Sequence, residues 1–344
     1  MIELLESNLN SKYNSNSNNT HTSHKTPCLT YKIRMSNIIK QIENIKLFFN
    51  IIDKHEYHNT NNNTNNNTNN NTNNSSIVIT KNVYPIIDLI PINSFLTNNI
   101  KPKSKLFYFF DSFLTSLKAV EKLQKYQIFP LFININQITI HKEHNATIIN
   151  DISSFIHNIP NNKQLFNHIN LILSNISYNN HLPIDTIILK FIIQNDIQIL
   201  NEKIITQLTD IIFKCHIPIF NNIFNNIHNN NNENIYIDYK NNIIQYLNAY
   251  YKHLNSSSAI SYILENIHNI SNHSIILNYL NILPNIIQTN NNHVKNIIIT
   301  PIINLLNPIR SKNHQEIFNS IQDIFHIKIF ENNNIMNILP NIIQ

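Results

Sequence analysis

Glycine and tryptophan are absent from this 344-residue sequence, cysteine and arginine occur twice each, and alanine and valine four times each. The missing glycine removes a class of active-site loops, because a backbone that must adopt positive φ or approach a phosphate closely needs a residue without Cβ. The P-loop, the dinucleotide fingerprint, the Gly-rich loop of protein kinases, the nucleophile elbow of hydrolases and the EF-hand turn all place glycine at fixed positions. Nucleotide-dependent catalysis through such loops is not expected. Tight hairpins also favour glycine, so large β-sandwiches and barrels are disfavoured, although asparagine tolerates left-handed geometry and substitutes in part.

Cys28 and Cys215 are too few and too differently placed for a disulfide framework or a Cys-rich zinc site, so a reducing compartment is expected. Lys+Arg number 25 against 20 Asp+Glu, a net charge of +5, and the only arginines are Arg34 and Arg310, which gives no concentrated phosphate-binding footprint. The one local excess, Lys101, Lys103, Lys105, Lys118, Lys122 and Lys125 against Asp111 and Glu121, reads as a solvated helix face with a basic lead-in; nucleic-acid contact is the alternative. No apolar run reaches the roughly 18 residues that a membrane span needs. Residues 1–10 carry Glu3 and Glu6 and lack a basic segment leading into an apolar one, so no secretory signal is expected. Lys12, Lys25, Lys32 and Arg34 have no acid between them and leave organelle targeting as an alternative. The expected location is intracellular, cytoplasmic or nuclear, with the mitochondrion as that alternative.

Asn and Ile supply 71 residues each, so residue identity carries little information and the spacing of apolar positions carries more. Residues 1–35 have no apolar period and read as a disordered tail. Residues 36–54 carry Ile39, Ile42, Ile45, Phe48, Phe49 and Ile52, the stripe of a short amphipathic helix. Residues 55–76 form an Asn/Thr low-complexity linker, with self-association through asparagine as the other reading. Residues 77–141 are either helical or a small α/β segment. Ile77, Val78 and Ile79 and the stretch 132–140 read as strands, and Phe110, Phe113, Leu114, Leu117, Val120 and Leu123 share one helix face.

Residues 142–344 read as a helical-repeat domain. Apolar positions recur at three and four residues: Ile148, Ile149, Ile152, Phe155, Ile156 and Ile159, ended by Pro160; Leu165, Ile169, Ile172 and Ile176; and Ile184, Ile187, Ile188, Phe191 and Ile192 after Pro183. A fourth stripe, with Asn201 as cap, holds Ile204, Leu208, Ile211, Ile212 and Cys215 and stops before Pro218. Later ones centre on Leu247, Ile263, Leu280, Ile302 and Ile321. An Asn-rich loop is expected near 221–235. Short links between successive helices predict antiparallel pairs stacked as an α-solenoid, with Asn in the left-handed position that ends each helix. The expected fold class is therefore all-α.

Residues 282–306 resemble a HEAT repeat. Leu283 and Pro284 match the Leu-Pro of that family's first helix, Val294 and Lys295 the Val-basic pair opening the second, and Ile298, Ile302 and Leu305 its buried ridge. Asn replaces the acidic turn residue and Pro301 interrupts the second helix. The resemblance covers about 25 residues and implies architecture, not activity. The octapeptide NILPNIIQ at 281–288 returns at 337–344, which ends the sequence within an apolar stripe and predicts either a covering partner or a truncated chain.

Chemistry-bearing residues are scattered. The pairs His21/His24, His55/His58 and His141/His144 lack the third and fourth ligands of a zinc site, and Cys215 and His216 are adjacent, so their side chains diverge on a helix. Asp185, Asp196, Glu202, Asp210, Glu265, Glu316 and Asp323 sit singly and read as capping or solubilising groups. Tyr246, Tyr250, Tyr251 and Tyr262 read as core residues, with base stacking as the alternative. No catalytic, cofactor-binding or metal-ligating residue is assigned, and no cofactor, small-molecule substrate or membrane span is expected. The expected function is a non-enzymatic helical-repeat scaffold for protein–protein interaction. The alternatives are an organellar RNA-binding repeat protein resembling the pentatricopeptide and heptatricopeptide families in architecture, a small α/β enzyme at 77–141, and a truncated or degenerate gene product.

Overall fold

Tyr31, Met35 and Ile39 recur every four residues, and this buried stripe belongs to helix α1 (Thr26–Ile39), which begins within the stretch 1–35 expected to be tail. The computed structural model describes residues 3–4, 26–59, 76–82, 88–97, 102–158, 165–225, 232–286, 298, 300–308 and 314–324. The helix expected over 36–54 is instead the end of α1, a left-handed turn at Asn44 (φ 56°), a 3-10 turn at Ile45–Leu47, and the start of strand β2 (Ile52–Asn59). Long-range backbone pairing overrides the helical spacing there. Ile149 N–H donates to Phe48 O at 2.7 Å, and Asn50 N–H donates to Ile149 O at 3.0 Å.

Strand β2 pairs antiparallel with β3 (Ser76–Asn82), which also pairs with β1 (Glu3–Leu4). The expected linker over 55–76 is thus partly strand; 60–75 lie outside the described residues. Next come β4 (Leu89–Pro91), α2 (Ile92–Thr97), α3 (Pro102–Gln124), β5 (Ile128–Pro130), β6 (Ile138–His141), β7 (Thr147–Ile149) and β8 (Phe155–His157). They form two small antiparallel sheets, ordered β4-β6-β7 and β5-β8. Phe110, Phe113, Leu117, Val120 and Leu123 are buried along α3, as their spacing predicts, Leu114 is half-buried, and Phe109 is buried besides. The helix expected from Ile148 to Ile159 is replaced up to His157 by two strands, and 159–160 lie outside the described residues. Adjacent apolar pairs such as Ile148/Ile149 and Phe155/Ile156 suit a strand buried on both faces, which periodicity cannot separate from a helix.

The rest is helical: α4 (Leu165–Ser174), α5 (Ile184–Asn195), α6 (Glu202–Asn225), α7 (Asn232–Tyr250), α8 (Ser256–Glu265), α9 (Ile267–Ile286), α10 (Thr300–Asn304) and α11 (His314–Asp323). Asn201 caps α6 as expected, its Oδ1 accepting Ile204 N–H at 3.1 Å, and Asn255 caps α8 through Ser258 N–H at 2.8 Å. Helix α6 runs through Pro218, where a stop was expected, to Asn225, so 221–225 and 232–235 of the expected Asn-rich loop are helical and 226–231 lie outside the described residues. The left-handed residues following α3, α5 and α7 are Gln127, Asp196 and His253, so asparagine does not hold every such position.

Described residues are mostly helical with small antiparallel sheets, so the chain is not all-α. Helix α9 is buried on all sides from Ile270 to Leu280 and packs against α2, α3, α5, α6, α10 and β5. Repeats in a solenoid touch only their chain neighbours. Here α2, α3, α5, α6 and α10 pack on α9, whose partner α3 lies well over a hundred residues earlier.

Candidate functional site

Two polar constellations sit inside this apolar body. The first is the loop after β5. Leu131 N–H donates to Ser154 O at 3.0 Å, and Leu131 O accepts the Thr186 hydroxyl of α5 at 2.6 Å. From α9, the Ser271 hydroxyl donates to Pro130 O at 3.2 Å, Ser274 Oγ accepts Ile133 N–H at 2.6 Å, and Asn278 Nδ2 donates to Ile133 O. The Ser154 hydroxyl closes on Phe132 O. Ser271, Ser274 and Asn278 are spaced i, i+3, i+7, one stripe of a helix, and all are buried. The sequence reading missed them; a polar stripe in an Ile-rich helix was the available signal.

Beside this loop stands Asp151. Its Oδ1 accepts Ser153 N–H at 2.9 Å and faces Lys32 Nζ of α1 at 3.4 Å; its Oδ2 accepts the Ser153 hydroxyl at 2.8 Å and Gln137 Nε2 at 3.0 Å. Gln137 Oε1 in turn accepts Asn134 N–H at 2.6 Å, closing a capping box on the 3-10 turn Ile135–Gln137. Burial works to raise the Asp151 carboxyl, but the Lys32 charge and the bonds from Ser153 and Gln137 outweigh it and hold the group below the ordinary carboxylate value.

The second constellation is built on Asp185, buried in the first turn of α5. Its Oδ1 accepts the hydroxyls of Tyr246 at 2.7 Å and Tyr251 at 2.6 Å. Burial, then the Asp185 charge, pushes both phenols far up, so they stay neutral donors. The four tyrosines do meet, but in two roles: Tyr246 and Tyr251 are buried, whereas Tyr250 is 40% exposed and stacks on Tyr262 with centroids 5.7 Å apart at 18°. Asp185→Asn removes the charge while keeping an acceptor, and should cost about 1–2 kcal/mol in urea unfolding. A change under about 0.5 kcal/mol would show that the charge contributes nothing to this join.

Adjacent Cys215 and His216 do not form a nucleophilic pair. His216 Nδ1 lies 2.6 Å from Tyr239 Oη and its Nε2 lies 2.8 Å from Leu182 O. A carbonyl accepts only, so Nε2 carries the proton and Nδ1 accepts from the tyrosine. Burial pushes the Cys215 thiol up to about 11, away from thiolate chemistry.

His141 and His144 stack at 4.8 Å, and among the described residues no three His, Cys, Asp or Glu side chains converge as metal ligands. His21 and His24 lie outside the described residues. Four lysines of the basic cluster have described side chains, and Lys101 lies outside the described residues. Lys118 lies over the Phe318 ring at 5.3 Å, Lys122 over Phe48 at 5.9 Å, and Lys125 pairs with Glu121 at 3.2 Å, while Lys105 is buried. Asp210 pairs with Lys240 at 3.1 Å. No described helix is long and apolar enough to cross a membrane. No protein family, curated protein or solved structure compared with this chain matches it.

Proposed function

We propose that this chain is a non-enzymatic scaffold that binds another protein. The observation that carries this reading is the corner where the α5–α6 and α7–α8 links pair. Leu200 N–H donates to Leu254 O at 2.9 Å, His253 N–H to Leu200 O at 2.9 Å, and Ser256 N–H to Gln198 O at 3.1 Å. This pairing holds Ile199, 55% exposed, at the same corner as Tyr250. A tyrosine fixed by stacking offers a large contact area at little entropic cost, as protein interfaces use it.

The test is affinity capture by the full chain from its native organism, wild type against a Tyr250→Asp, Ile199→Asp variant. The expected result is a protein retained by the wild type and reduced by about tenfold or more in the variant, as loss of an interface anchor implies. The variant should keep its melting temperature. Equal recovery of every protein would remove the corner as the binding surface. Recovery of RNA that falls steeply between about 50 and 200 mM salt would replace this reading by the RNA-binding one.

A further inference from the structure

Helices α6, α7 and α10 leave a cavity of about 160 Å³ between them. On α7, Ile235, Asp238, Tyr239 and Asn242 are spaced i, i+3, i+4, i+7, so they share the stripe that lines it. Thr300, Ile303 and Asn304 repeat that spacing on α10. The floor is apolar. Phe220 and Tyr239 are buried with ring centroids 4.7 Å apart, and Ile235 and Ile303, half-buried, line the same space. Tyr239 adds no polar group there, because its hydroxyl donates to His216 Nδ1 at 2.6 Å.

The rim is polar: Asp238, Thr300 and Asn304 are exposed and Asn242 is half-buried. Asp238 is the only charged residue of the lining, and among the described residues no cation pairs with its carboxylate. Lys240, the lysine of α7, is held elsewhere, 3.1 Å from Asp210 and over the Phe213 ring at 5.4 Å. A carboxylate at the mouth repels anions and gains most from a cation. The three N–H donors of a primary ammonium suit the Asp238 oxygens and the amide oxygens of Asn242 and Asn304. Aromatic rings below favour the same charge. An apolar cavity of about 150 Å³ accepts benzene, so the body that enters here is about one six-membered ring in size.

We propose that this cavity binds a small primary amine as its ammonium ion, with the nitrogen at Asp238 and an apolar body of about one ring among Phe220, Tyr239 and Ile303. The inference goes beyond the scaffold reading, and either can fail alone, since capture at the Tyr250 corner uses none of these residues.

Three probes separate charge from body: benzylammonium carries both, methylammonium the charge alone and benzyl alcohol the ring alone. Ligand-observed NMR titration of the full chain should give one benzylammonium site with a Kd below about 1 mM, and binding at least about tenfold weaker for the other two. Asp238→Asn keeps the shape of an exposed side chain; it should weaken benzylammonium about tenfold or more and leave benzyl alcohol unchanged. A wild-type chain that does not saturate with benzylammonium would overturn the proposal. So would methylammonium or benzyl alcohol binding as tightly as benzylammonium, or an Asp238→Asn chain that binds it at wild-type strength. Should that variant not fold, the three wild-type titrations decide.

Discussion

Replacing Tyr279 by alanine should lower the unfolding free energy by about 4 kcal/mol, the cost of emptying a buried aromatic site. Tyr279 is fully buried on α9, stacked on Phe113 of α3 with centroids 4.4 Å apart at 2°, and edge-on to Phe109 at 5.4 Å. Its hydroxyl pairs with Ser116 Oγ at 3.0 Å. Three elements of the join are lost together: transfer energy, ring contacts and a hydrogen bond. Tyr279→Phe separates them, since it removes only the hydroxyl and should cost about 1 kcal/mol. Urea unfolding of both variants checks this. A loss under about 1.5 kcal/mol for Tyr279→Ala would mean that α3 and α9 do not carry the core as their packing implies.

Acid should destabilise the protein well before its carboxylates titrate. Burial holds the His216 imidazole down to about 4, against 6.5 for the free side chain, and the Leu182 carbonyl offsets only part of this. The folded pKa is depressed, so the stabilising contribution is complete above pH 6.5 and is lost as pH falls toward 4, where the unfolded chain binds a proton that the folded chain refuses. At about 1.4 kcal/mol per pH unit, the loss approaches 3 kcal/mol across that window. Burial also lowers His157, His168, His181 and His268, and these act in the same direction. His216→Gln, which retains a donor and an acceptor, should flatten most of the slope in urea midpoints measured between pH 7 and 4. An unchanged slope would assign the effect to the other histidines. Asp151, whose folded pKa is also lowered, contributes in a separate window below the ordinary carboxylate value.

Several features were readable from local spacing. The stripe of α5 is buried as its period predicts, those of α3, α6 and α8 are buried or half-buried, and Asn201 caps the helix it precedes. Each depends on residues within one or two turns. Residues 148–156 misled because Ile148, Ile149, Ile152, Phe155 and Ile156 fit a helical stripe and a doubly buried strand equally well; pairing with β5 and β6 selects the strand. The stretch 26–35 misled in the opposite way, since it follows the Asn/Ser/Thr-rich residues 1–25 and its buried Tyr31 and Met35 are too few to show a period on their own.

The candidate sites were almost wholly hidden. Lys32 and Asp151 come from opposite ends of the first half of the chain, and Asp185 meets Tyr246 and Tyr251 across more than sixty residues. Ser271, Ser274 and Asn278 form a polar stripe, which spacing alone would turn toward water. They are buried because the loop at 130–133 offers carbonyl and N–H groups that require partners once removed from water.

Composition and spacing were enough to rule out glycine-dependent loops, to place most helices and to name the Asn201 cap, because these depend on φ preferences and on side chains three or four positions apart. They could not establish that α9 is the centre, that 147–149 and 155–157 are strands, or that Lys32 neutralises Asp151. Those outcomes depend on pairs far apart in the chain, where burial leaves each polar group dependent on the partner that the fold brings to it.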